Sequence, residues 1–145
     1  MDAFELTEKI KAFDVDSTLQ VAAKSEAFLS EVVDANRDQW ELGENSKGEK
    51  IGTYASPEYA QMKFEQNSRA GRGNVDLMLT HDLEKNMFAK AESDGIEIDS
   101  GDWKSDELKA RYGEEIYGVN DTHKEDVVFT LQQEFLKGVE NEIGL

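Results

Sequence analysis

The sequence has no cysteine, one proline and two histidines in 145 residues. The missing cysteine excludes disulfide scaffolds, thiolate zinc sites and thiol nucleophiles together. His81 and His123 lie far apart in sequence, with no two-histidine helical spacing, so a zinc site of histidines and carboxylates has no support. No strained Gly-x-Ser-x-Gly turn is present to carry a serine nucleophile. No apolar run approaches the ~20 residues needed to cross a bilayer. Met1-Asp2-Ala3-Phe4-Glu5 is the wrong start for a signal peptide, and no membrane association is expected. Basic residues are also scarce: 16 against 32 acidic ones, for a net charge of −16. Such a surface repels phosphates, so specific nucleic-acid binding is not expected.

What is present suits one folded domain over 1–145, with residues 1–16 as a candidate separate N-terminal helical arm. Aromatics at 9% and regularly spaced apolar positions exclude wholesale disorder. The stretch 75–98 organises the rest. Val75, Leu77 and Leu79 alternate with Asp76 and Met78, as in a strand with one buried face. Thr80 is placed to cap a short turn over His81–Asn86. Met87–Glu92 returns to alternation, Asp94-Gly95 gives a two-residue hairpin signal, and Ile96 and Ile98 resume the pattern.

Helices are expected on either side. Leu6, Ile10 and Phe13 mark one over residues 2–13. A longer one runs from about Leu19 to Leu42, capped by Ser17 or Thr18, its stripe interrupted at Asn36 and stopped by Gly43. Gly43–Gly52 reads as a polar loop anchored by Ile51. Ser56-Pro57 starts a helix carrying Tyr59, Met62 and Phe64, with Lys63 on its exposed side. Asn67–Asn74, with Arg69 and Arg72, reads as a mobile basic loop. Ser105 is the expected cap of a short helix, and Asp121 or Thr122 that of a last helix striped by Val127, Val128, Leu131, Phe135, Leu136 and Val139. Gly138 weakens its end, and the tail from Asn141 is expected to fray. The fold class is therefore α+β: a small antiparallel sheet, made of a strand plus a β-hairpin, packed by a long N-terminal helix and a C-terminal helix.

Candidate chemistry is sparse. The acidic run Glu92–Asp102 fails as a calcium loop, because aligning Gly95 with the required glycine puts Lys90 and Gly101 where acidic ligands belong. Arg69-Ala70-Gly71-Arg72-Gly73 lacks the preceding strand and the Gly-Lys-Ser/Thr ending of a phosphate loop. Among so many carboxylates no pair is singled out for acid–base work. No catalytic residue, metal site or cofactor is expected.

Several landmarks, read in order, resemble one family. Asn36-Arg-Asp-Gln-Trp40, Lys47-Gly48-Glu-Lys-Ile51-Gly-Thr-Tyr54 and Tyr59-Ala-Gln-Met-Lys63 are followed by Leu77-Met-Leu79-Thr80-His-Asp82-Leu83 through Phe88. Asp102, Leu108, Tyr112-Gly113 and Gly118 complete the series. Together they resemble the neck or tail-completion proteins of tailed phages, also called virion morphogenesis or head–tail connector proteins. The resemblance covers about residues 30–120, with His81 where that family usually has Gly and Asn86 where it usually has Ser. It implies a non-enzymatic structural subunit of the virion, made in the host cytoplasm. Its partners would be copies of itself in a ring, with the portal or connector on one side and tail proteins on the other. Trp40, Ile51, Tyr54, Tyr59, Arg69 and Arg72 are then interface candidates. Leu77, Leu79, Thr80, Asp82, Leu83, Phe88, Tyr112 and Gly113 form the structural motif. The alternative is an acidic protein-binding module that mimics DNA charge or regulates a nucleic-acid enzyme. A carboxylate hydrolase is a third reading.

Overall fold

The computed structural model describes residues 1–78 and 81–144. The assignments made to Leu79 and Thr80 therefore lie outside the described residues. The helices α1 (Ala3–Ala12), α2 (Val15–Ala23), α3 (Glu26–Glu41) and α4 (Pro57–Gln66) come first. The single turn α5 (Asp82–Lys85), strands β1 (Met87–Glu92) and β2 (Gly95–Ser100), α6 (Ser105–Tyr112) and α7 (Asp121–Ile143) follow. The fold is α+β, with an antiparallel two-stranded sheet and long helices near both ends of the chain.

The helix expected from Leu19 to Leu42 is two helices. α2 starts at Val15, capped by the Asp14 carboxylate rather than by Ser17 or Thr18. Lys24 closes it, and Ser25 Oγ accepts from the Phe28 N–H at 3.2 Å to begin α3. A serine that satisfies a backbone N–H offers the chain a new start in place of an unbroken helix. At the other end Asn120, not Asp121 or Thr122, caps α7. α7 continues to Ile143, past the point where fraying was expected. Its inward face is narrower than the proposed stripe: Val127 is buried, whereas Val128 and Leu136 are exposed. Gly138 is a contact point as well as a weak helix former. A Cβ there would lie 2.7 Å from Thr18 Cγ2, so the missing side chain admits α2.

β1 and β2 pair from Met87–Ser100 to Glu92–Gly95. The hairpin loop is thus Ser93-Asp94, one residue earlier than the Asp94-Gly95 signal indicates. Residues 75–78, expected as part of a strand, form none. Their neighbourhood holds one isolated bridge, Thr53 with Asn74, and a bond from the Val75 N–H to Gly52 O at 2.9 Å. Leu77 takes a left-handed conformation (φ +58), which ends any extended run.

Two apolar clusters share α3 as a wall. Val33 and Trp40 face Ile51, Val75, Leu83, Met87, Ile116 and Tyr117. Phe28, Val32 and Ala35 face Val127, with Leu131 and Val119 alongside. Ala89 and Ile98 of the hairpin touch both clusters.

Between the clusters α3 grips backbone. Asn36 does not interrupt the buried face; it is fully buried on it. Its Nδ2 donates to Ile116 O at 3.0 Å, and its Oδ1 accepts from the Gly118 N–H at 2.9 Å. Trp40 Nε1 donates to the same Ile116 O at 2.7 Å. Gln39 completes the clamp, donating to Gly118 O and accepting from the Asn120 N–H, both at 2.8 Å. Gly118 itself runs at φ +130, and a Cβ there would meet Ser46 Cβ at 2.6 Å. Asn36→Ala leaves the half-buried Gly118 N–H without its acceptor and opens a void. It is expected to lower unfolding free energy by roughly 2–4 kcal/mol in urea titrations.

Candidate functional site

An apolar cleft of about 480 Å³ opens between α4, α6, residues 75–78 and Leu83. Its first wall follows from local sequence. Ser56 Oγ accepts from the Tyr59 N–H at 3.3 Å and Pro57 fills the first helical position, so α4 begins there. That start sets Tyr59 edge-on to Tyr54, with ring centroids 4.9 Å apart and an interplanar angle of 81°. The opposite wall is α6, through Leu108, Arg111 and Tyr112. Leu77 and Leu83 also line it, and Leu83 is buried.

Behind the tyrosines lies a buried ion pair that sequence reasoning missed. Lys63, expected on the exposed side of its helix, is 4% exposed and donates to Asp76 Oδ1 at 2.8 Å. The signal was present: Lys63 follows Tyr59 by four positions, so the two share a helix face. Asp76, 2% exposed, also accepts from Asn67 Nδ2 at 3.1 Å and from the Tyr54 hydroxyl at 3.3 Å. Its Oδ1 takes the Met78 N–H at 3.1 Å, closing a tight turn that places Leu77 at positive φ. An alternating pattern therefore gives no strand here, because the polar residue of the pair points inward to Lys63.

Burial works to raise the Asp76 carboxyl. The bonds from Lys63, Asn67 and the Met78 N–H outweigh it and hold Asp76 below the ordinary carboxylate range. Burial, with the Asp76 charge adding to it, pushes the Tyr54 and Tyr59 hydroxyls up. The cleft thus keeps neutral phenols against an ionised, compensated pair.

The rim carries cations in an otherwise acidic protein. Arg111 stacks over the Tyr112 ring at 5.4 Å, and Lys104 lies 5.6 Å from the centroid of Trp103. Trp103, next to Lys104, is 78% exposed. Apolar floor, phenol hydroxyls and peripheral cations suit an apolar segment flanked by carboxylates.

Of the interface candidates, Tyr54 and Tyr59 meet in the cleft with Leu77, Leu83 and Tyr112 of the structural motif. Trp40 and Ile51 do not reach a surface. Both are buried in the α3 cluster, so their expected interface role is replaced by core packing. Arg69 is not on a free loop. It pairs with Glu41 from within the 3-10 turn Ser68–Ala70, which the Asn67 side chain caps. Arg72 is exposed. Asp82 opens α5, whose entry residue His81 takes φ +64 with no side-chain cap and bonds Glu84 instead. Phe88 is half-exposed on β1, and Gly113 closes α6 at φ +93.

A second polar network lies on the other side of α6. Ser105 is the first residue of α6 rather than its cap, and it is buried. Its Oγ donates to Asp99 Oδ1 at 2.7 Å and sits 2.7 Å from the Tyr117 hydroxyl. Lys109 Nζ reaches Asp99 Oδ2 at 3.0 Å. Against the opposing effect of burial, the bonds from Ser105, the Ser100 N–H and Lys109 hold the Asp99 carboxyl low. Asp99 serves as an acceptor that ties β2 to α6. The acidic run 92–102 is dispersed: Asp102 bonds the Lys104 N–H, and Asp94 sits in the hairpin loop. Among the described residues no group of three or more His, Asp or Glu could hold a metal ion. None of their helices is long and apolar enough to cross a membrane.

No family model, curated protein or solved structure matches the chain.

The ion pair makes a pH-dependent prediction. A depressed carboxyl contributes stability that is complete above its unfolded pKa of about 4 and is lost as pH falls through the folded value. Lys63→Met strands a buried carboxylate, with an expected loss of about 3–5 kcal/mol at neutral pH. Burial then acts on Asp76 without the lysine to oppose it, so the variant is expected to lose stability as pH rises from about 4 to 7. Urea unfolding of both proteins across that range reads the sign.

Proposed function

We propose that the protein is a structural subunit of a tailed-phage particle, seated at the head–tail neck or in a tail-completion ring. In this role it joins portal or connector to tail through contacts with copies of itself and with neighbouring proteins. The observation that carries the reading is the surface: an apolar, cation-rimmed cleft beside Trp103, with Phe4, Val21 and Phe129 also largely exposed. Large apolar side chains displayed singly are ordinary, but several on a surface that also carries a formed cleft suit protein neighbours. The motifs that resemble those of the neck and tail-completion proteins support which neighbours these are. In this chain Asn36, Gln39 and Trp40 build the clamp, and Arg37 holds Glu84 O at 2.7 Å through Nη2. Tyr54, Tyr59, Leu77 and Tyr112 line the cleft. The net charge of −16 fits an inner wall past which DNA slides.

The same charge favours a second reading, a charge-mimicking module that occupies a basic protein. Disruption of the gene separates the two. A neck subunit leaves filled heads and free tails unjoined, and mass spectrometry finds the chain in purified particles, with labelled antibody at the head–tail junction. Intact particles that lack the chain would overturn the first reading.

A further inference from the structure

We infer that the cleft receives α1 of a second copy of this chain, with Phe4 as the anchor. The inference rests on reading the protein as an assembling subunit. It adds which two surfaces meet.

The argument begins with a helix that is formed but barely held. α1 has a complete capping box: the Glu5 N–H donates to Asp2 Oδ1 at 2.8 Å, and the Asp2 N–H to Glu5 Oε2 at 3.2 Å. None of its residues is buried, and it packs against α7. Phe4 is 73% exposed and lies between Asp2 and Glu5, each of which uses one carboxylate oxygen on the cap. An aromatic anchor flanked by carboxylates matches an apolar cleft rimmed by Arg111 and Lys104. A volume of about 480 Å³ accommodates such an anchor and its aliphatic neighbours.

Charge and tethering reject the other anchors. Trp103 inserted into a partner's cleft would bring Lys104 against the partner's own Lys104 and Arg111. Phe129 stands on α7, which is held along its length by α2 and α3 and cannot enter a cleft. α1 alone combines an exposed aromatic, an acidic first turn and few ties to the body. The arm and cleft lie on different parts of the chain, so each copy offers its arm to one neighbour and its cleft to another. Such a head-to-tail contact closes into a ring or extends as a filament.

The absence of cysteine makes the test direct. Ala3→Cys is placed in one full-length chain and Ala55→Cys in another; both positions are exposed, and Ala55 lines the cleft. The two are mixed under mild oxidation. A disulfide-linked heterodimer is expected about tenfold faster than from Ala3→Cys with Gln132→Cys on α7, because docking raises effective concentration. Adding Arg111→Glu to the Ala55→Cys chain slows trapping about fivefold, and Phe4→Ser in the Ala3→Cys chain abolishes the advantage. Far-UV circular dichroism and thermal melts check that each variant is folded. Trapping no faster than the Gln132→Cys control overturns the inference. So does preferential closure within a single Ala3→Cys/Ala55→Cys chain, or an advantage that survives Phe4→Ser. These outcomes are independent of whether the chain is found in particles. A chain present at the neck but without this trapping keeps the subunit reading and loses the arm–cleft contact.

Discussion

Backbone capture by one helix face organises this fold. Asn36, Gln39 and Trp40 lie within about one turn on one face of α3 and take up polar groups of residues 116–120. That segment carries few internal bonds and would otherwise bury unpaired amides between two apolar clusters. A leucine-lined helix would pack against it but would leave those groups without partners. The three polar side chains therefore make burial of 116–120 possible. That burial sets where α7 begins, since Asn120 is both the last residue held and the cap of α7.

The cleft inherits its shape from a second polar commitment. Lys63 and Asp76 are ionised in a place with little water, and their value lies in direction rather than in net stability. Asp76 faces inward to meet Lys63, draws in the Tyr54 hydroxyl and turns the chain at Leu77. Tyr59 and Lys63 share a helix face, so the wall of the cleft and its buried support are set by the same α4. The cleft wall and the charged pair behind it form one unit.

Much of the architecture was legible in the sequence. The Ser56-Pro57 start, the hairpin, the α6 and α7 segments and the stop at Gly43 follow from local chemistry that needs no distant partner. The readings that failed depended on partners far along the chain. Asn36 looked like a break in an apolar stripe because its acceptors and donors lie some eighty positions away. Alternation at 75–78 looked like a strand because Lys63, the residue that draws Asp76 inward, was assigned to solvent. Ser105 looked like a cap because Asp99 and Tyr117 were not yet beside it. For the site, Tyr54, Tyr59, Leu77 and Tyr112 were singled out and converge. Arg111 and Trp103 were overlooked and Leu108 was named only as a landmark of the series, since α6 has too few apolar residues to mark the wall of a cleft.

Leu77 holds a conformation that a branched side chain adopts at a cost, and it does so on the wall of the cleft. Glycine would relieve the backbone there while stripping the cleft of part of its lining. A laboratory campaign that selected only for heat resistance would be drawn to this position, and its winners would be sturdier chains with a less apolar cleft.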